Sequence, residues 1–151
     1  RYCVYDVKEL FVPLPHEVEY ISNYLEFERL RLGSRLQLSF VTDLDAGAGC
    51  KIPPLMLIVF VENAFKHSRS AGQEAIHIDI SLRKSANQIA FSVTNSVTPE
   101  SDKQRTEKHS GFGLDNVRRR LNLLYPGRHT LKISKTERDH SVYLALQCHQ
   151  D

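Results

Sequence analysis

Two neighbouring segments alternate so strictly that they limit what the rest of the chain can do: Ile76, Ile78, Ile80 and Leu82, then Ile89, Phe91 and Val93, joined by a short polar turn around Ala86 and Asn87. Successive side chains of a strand point to opposite faces, so this period of two predicts an antiparallel hairpin with one face turned to a core. Because the other face is polar, only one covering layer is needed.

The remaining pattern supplies both sheet and cover. Leu36, Leu38 and Phe40 read as a strand, as do Leu131 with Ile133 and Val142 with Leu144 and Leu146. Val18, Ile21 and Leu25, with Tyr20, Tyr24 and Phe27, recur at helical spacing and predict a helix over 15–32 closed by Gly33. Pro53 and Pro54 predict the start of a second helix over 53–67, and a third is expected over 114–125, closed by Pro126 and Gly127. The segment 43–50 reads as a turn, and the polar stretch 96–110, with no apolar period, as a long mobile loop of the kind that works as a lid. The expected fold is an α/β (α+β) two-layer sandwich, a mixed, mostly antiparallel sheet covered on one face by three helices.

Composition excludes several classes. The chain has 151 residues, 41% hydrophobic and 25% charged, which suits one globular domain. A net charge of +2 implies no nucleic-acid partner, and Arg118, Arg119 and Arg120 point in different directions on a helix, as on a solvated face. Cys3, Cys50 and Cys148 are odd in number, widely spaced and without a C-x-x-C pair, which fits a reducing compartment and bystander thiols. The apolar run 52–61 is shorter than the ~20 residues that span a bilayer.

Two segments carry candidate chemistry. The second helix changes abruptly from apolar to Glu62, Asn63, Ala64, Phe65, Lys66, His67, which puts Asn63, Lys66 and His67 on one stripe with Glu62 beside it. An amide oxygen, an ammonium and an imidazole in that arrangement suit hydrated Mg²⁺ and phosphates, and equally the solvated last turn of a helix. Ser110, Gly111, Phe112 and Gly113 precede Leu114, Asp115 and Asn116. Glycines that admit an anion to free helix amides would explain them, and so would a plain helix start.

The run 52–67, I-P-P-L-M-L-I-V-F-V-E-N-A-F-K-H, closely resembles the N box of LytS-like sensor histidine kinases, I-P-P-x-x-L-x-x-x-V-E-N-A-x-K-H. The run 110–121, S-G-F-G-L-D-N-V-R-R-R-L, resembles their second glycine box, G-x-G-L-x-N-x-x-x-R-L, and the segment 14–31 resembles their lead-in with Glu17, Tyr24, Leu25 and Arg31 in place. The resemblance implies a Bergerat-type fold that binds ATP with Mg²⁺. It implies Glu62 and Asn63 as catalytic residues, with Asn63 the Mg²⁺ ligand. Lys66, His67, Ser110, Gly111, Gly113, Leu114 and Asn116 would lie at the phosphates, and Asn95 at the adenine.

Residues 1–14 would lead in from a dimerisation and acceptor-histidine hairpin outside the chain, and 15–151 would form the ATP-binding domain. The implied partners are those helices in a homodimer and a response regulator, with no nucleic acid and no direct membrane contact. The implied setting is the cytoplasmic side of an inner-membrane-anchored sensor.

Three positions depart from the family pattern. Asn95 stands where the first glycine box usually has Asp, and Val97 where it has Gly, so the charge on the adenine acceptor is lost. Ile58 stands where many relatives have Gln and is expected to remove a polar group from the cleft. Val59 occupies the position at which gyrase-like ATPases place a water-activating carboxylate, which opposes hydrolysis. The other readings open to the sequence are a Bergerat-fold interaction module with little ATP use and a free-standing serine kinase or ATPase. The lid reading predicts fast amide exchange over 96–110 that slows when an ATP analogue is added; uniform protection without nucleotide would contradict it.

Overall fold

The computed structural model describes residues 9–45, 49–69, 75–97 and 112–149. In chain order the elements are β1 (Val12–Pro13), α1 (Leu14–Leu32), β2 (Leu36–Leu44), β3 (Lys51–Ile52), α2 (Leu57–Arg69), β4 (Ile76–Ser85), β5 (Gln88–Ser96), α3 (Phe112–Leu124), β6 (His129–Lys135) and β7 (Asp139–Gln147). The predicted hairpin, β4 with β5, sits within a five-stranded sheet of order β2-β4-β5-β7-β6, parallel at β2-β4 and antiparallel elsewhere.

Register converts the alternation into a core. Ile80, Val93, Val142 and Ile133 form one row across the sheet, and Leu82, Phe91, Leu144 and Leu131 the next, all on one face. The reverse face carries Ser81, Ser92 and Tyr143 in one row and Asp79, Thr94 and Ser141 in another, with the Thr94 and Ser141 hydroxyls 3.1 Å apart. That face can stay wet, so one helical layer suffices. Helix α2 lies on β4 and β5, while α1 and α3 pack against α2, and Leu14, Ile21, Leu25, Val117 and Leu121 join the same core. The expected two-layer α+β sandwich is the fold observed.

The structure corrects the expected start of the second helix. It begins at Leu57, not Pro53, because Pro53 to Met56 make a turn in which Leu55 has φ of 59°, a left-handed conformation. A distant group holds this turn. The buried carboxylate of Glu17, from α1, accepts the backbone N–H groups of Leu55 at 2.7 Å and Leu57 at 3.4 Å. On the other side Arg120 of α3 donates from Nη2 to the Pro54 carbonyl at 2.8 Å. Burial lowers the Arg120 guanidinium from its ordinary value, and the nearby Glu17 charge opposes that shift. A carboxylate thus satisfies amides that a helix start leaves open.

Three further differences concern the edges. Strand β2 runs on to Leu44, into the segment expected to be a turn, and α3 begins at Phe112 instead of Leu114. A small antiparallel ribbon, β1 with β3, was not expected from the sequence; two-residue strands have no period to detect. The cysteine reading is overturned as well. Cys50 and Cys148, 98 positions apart with Cα atoms 5.0 Å from each other, form a disulfide. Around it, Lys51 and His149 exchange backbone hydrogen bonds at 3.0 Å, the Cys50 carbonyl accepts the Leu14 N–H at 2.8 Å, and Phe11 stacks on His149. The bond ties the ribbon below α1 to the far end of β7.

Two outcomes follow from these ties. Reducing the Cys50–Cys148 bond frees a loop of nearly a hundred residues in the unfolded chain, so the unfolding free energy with and without reductant should differ by about 2–4 kcal/mol. Glu17→Ala leaves two backbone amides without their charged acceptor and removes the carboxylate near the half-buried Arg120 guanidinium, and should cost about 3–5 kcal/mol in urea unfolding. Glu17→Gln, which keeps one acceptor oxygen, should cost less; no loss in either variant would mean that Glu17 does not hold the turn.

Candidate functional site

Helix α2 is two helices in one. Leu57, Ile58, Phe60, Val61 and Phe65 are buried in the core, whereas Glu62 and Lys66 are exposed and Asn63 and His67 half-buried at the edge of the layer. The end of α2 is fastened to the end of β5 by Ser68, whose Oγ donates to the Ser96 carbonyl at 3.2 Å. Polar residues of the helix therefore face the last inner-face residue of β5, Asn95.

A cavity of about 110 Å³ lies between them. Its apolar walls are Phe60, Val93, Leu114 and Val142, and its polar groups are Asn63, Lys66, His67, Asn95 and His140. It is several times the ~30 Å³ share of one water and approaches the ~150 Å³ that admits benzene, so its scale is that of one planar ring. Asn95 is only 1% exposed; its Nδ2 donates to the Ser96 carbonyl at 3.2 Å, while its Oδ1 is buried with no hydrogen-bond partner. Leaving such an acceptor unmet costs about 1–3 kcal/mol, which makes it an address for a donor brought by a ligand.

The cavity opens beside a larger groove, about 540 Å³, that shares Asn63 and Lys66 with it. Tyr24, Phe27, Glu28 and Arg31 of α1 form one wall, Val59 and Glu62 of α2 the other, and Gly113 the end. Burial raises the Tyr24 hydroxyl well above its ordinary value, and the charges of Glu28 and Glu62 and a hydrogen bond with Glu28 add to this. Glu62, though exposed over most of its surface, has its carboxyl raised by partial desolvation. A Cβ on Gly113 would stand 3.2 Å from Val59 Cγ1, so the start of α3 approaches α2 as only glycine readily allows.

Most of the residues singled out in the sequence converge. Asn63, Lys66, His67, Asn95 and Leu114 line the cavity, and Glu62, Asn63, Lys66 and Gly113 line the groove. Asn116 is exposed and lines an adjoining groove between α2 and α3, which shares Val59 and Gly113 with the first. The earlier start of α3 places it a full turn into the helix instead of at its free amides. Ile58 is buried in the core and lines neither space, so no cleft contact is lost there, and Val97 is buried with its N–H on the Arg138 carbonyl. Ser110, Gly111 and most of the expected lid lie outside the described residues. His140, Tyr24 and Glu28 were not identified as site residues from sequence. His140 could have been, as the one polar residue that continues the inward rhythm of Val142, Leu144 and Leu146.

No family model matches the chain. It is similar to the sensor protein LytS of Streptococcus agalactiae serotype V, with 30% identity over 144 residues that cover 89% of this chain. The chain spans 24% of the length of that relative. Its fold is similar to the nucleotide-free catalytic domain of the histidine kinase ThkA, with a TM-score of 0.66 and 18% identity over 91% of this chain and 97% of that one. It is also similar to ThkA in complex with the response regulator TrrA, with a TM-score of 0.58 and 14% identity over 96% of this chain and 44% of that one. The N-box and glycine-box residues stand on the elements that build the cavity and groove, and the chain belongs to the LytS-like sensor histidine kinases and has the fold of a histidine kinase catalytic domain.

Proposed function

We propose that this domain binds ATP with Mg²⁺ and presents the γ-phosphate to an acceptor histidine carried outside the chain. The observation that carries this reading is the buried, unpartnered Asn95 Oδ1 in a ring-sized cavity that shares Asn63 and Lys66 with a polar groove. The adenine would occupy the cavity and give its amino hydrogen to Asn95, and the phosphates would run along the groove.

The residues present fit the metal and the phosphates. The Asn63 amide oxygen is a hard ligand suited to Mg²⁺ with its waters, and Lys66 and His67 supply positive or hydrogen-bonding groups to the phosphates. When bound, Mg²⁺ supplies charge neutralisation on the phosphate oxygens. Gly113 and Leu114, with Ser110 and Gly111 by family resemblance, would bring backbone N–H groups to the nucleotide. Glu62 and Asn63 are the candidate catalytic pair, Glu62 placing a carboxylate at the groove where an incoming imidazole would need its ring N–H accepted. Val59 carries no base for water, which suits transfer by positioning and charge compensation.

The partners follow from that role. They are the acceptor helices, in a homodimer, and a response regulator, the kind of protein that ThkA binds as TrrA. A net charge of +2 gives no reason for a nucleic-acid partner. Among the described residues no helix is long and apolar enough to cross a membrane. The setting proposed from the family resemblance is the cytoplasmic side of an anchored sensor, with no membrane contact by this domain, where the Cys50–Cys148 bond would have to persist against cellular reductants.

Calorimetry tests the reading. ATP should bind more tightly with Mg²⁺ than without, and Asn63→Ala should remove that gain, a loss of about tenfold or ~1.4 kcal/mol. With γ-labelled ATP the isolated chain should stay unlabelled, while an added acceptor-helix fragment of the parent protein should take up label. Absence of ATP binding would instead favour an interaction module that keeps the fold alone.

A further inference from the structure

We propose that His140 is a specificity residue that reads the purine edge together with Asn95: the amide oxygen accepts the exocyclic amino hydrogen of adenine while an imidazole N–H donates to ring nitrogen N1. The proposal rests on the cavity being a base site, as argued above.

The placement of the two residues carries it. His140 of β7 is the direct register partner of Asn95 of β5, and both side chains line the cavity. Side chains so paired on one face have Cβ atoms about 4.5–5.5 Å apart, close enough for both to meet one edge of a planar ring. Every other inward position on these two strands is apolar: Ile89, Phe91 and Val93 on one, Val142, Leu144 and Leu146 on the other. The polar pair appears only where the two strands reach the cavity. If His140 served merely to satisfy its neighbour, Asn95 Oδ1 would be bonded, and it is not.

The chemistry of the pair is directional. A neutral imidazole has one N–H donor and one acceptor nitrogen, so acceptor and donor can be offered side by side. Adenine presents the complement, an amino donor next to the acceptor N1. Guanine presents a carbonyl oxygen next to an N1–H, which would set acceptor against acceptor and donor against donor. On the other side of the cavity the His67 ring stands 5.7 Å from the His140 ring, inclined by 54°, and limits the positions that imidazole can take.

Nucleotide titrations of the wild-type chain and of His140→Ala and His140→Gln decide the matter, using ATP, GTP and 1-deaza-ATP, which keeps the amino group but has carbon in place of N1. The wild type should prefer ATP to both analogues. His140→Ala should weaken ATP about fivefold to tenfold and leave 1-deaza-ATP unchanged, because the lost bond never formed with that ligand. His140→Gln, which retains an N–H donor, should recover most of the ATP affinity and guards against a folding defect of the alanine variant. An equal loss for ATP and 1-deaza-ATP, or no loss for either, would overturn the assignment of His140 while leaving the base site standing. Wild-type protein that binds none of the three would overturn the base site and this inference with it.

Discussion

The carboxylate of Glu17 is the contact on which the site depends. It is fully buried, it comes from α1, and it holds the two amides that begin α2 while Arg120 of α3 holds the carbonyl beside them. A buried carboxylate is stable only when its lone pairs are met by donors, and here those donors belong to the turn whose shape fixes where α2 starts. Six residues after the second of those amides α2 presents Asn63, and nine residues after it Lys66, so the tie sets the rotational phase of the polar stripe. Glu17, part of the lead-in match, and Arg120, read in the sequence as part of a solvated face, act by joining three helices.

The two ends of the sheet's inner face show what separates a structural polar pair from a binding one. At one end Lys84, 7% exposed, continues the inward series of β4 and is ion-paired with Asp45, whose other oxygen accepts the Ala86 N–H at 3.1 Å. Charge and hydrogen-bonding capacity are both met there by the protein itself. At the other end Asn95 and His140 terminate the inward series of β5 and β7, and an acceptor is left over. Both pairs mark where the apolar rows run out; only one of them has unfilled bonding capacity facing a cavity.

What the sequence discloses is what repeats locally. The period of two in β4, β5 and β7 and the helical period of α1 were legible because burial acts on every second, third or fourth residue of one segment. The polar cluster at Asn63, Lys66 and His67 was legible for the same reason, as a break in such a period. The start of α2 was not, because Pro53 and Pro54 carry an ordinary helix-start signal that a carboxylate 38 positions away overrides. The Cys50–Cys148 bond left no trace in spacing, since a chain segment spanning 98 positions must fold before the two sulfurs meet. A two-residue difference in where α3 begins moves Asn116 from the helix start to a groove that adjoins the first at Val59 and Gly113.

Val59 and Gly113 together bear on the proposed preference for phosphoryl transfer over ATP hydrolysis. A carboxylate at position 59 would sit one turn before Asn63, where a hydrolase of this superfold activates water. Here that place holds a methyl group against the backbone of Gly113, so close that even one added carbon on the glycine would crowd it at 3.2 Å. The contact is apolar and half-exposed, and it joins the start of α3 to the middle of α2 at the end of the groove. On the proposed reading, the same valine that offers water no base also sets the spacing of the two helices that flank the groove.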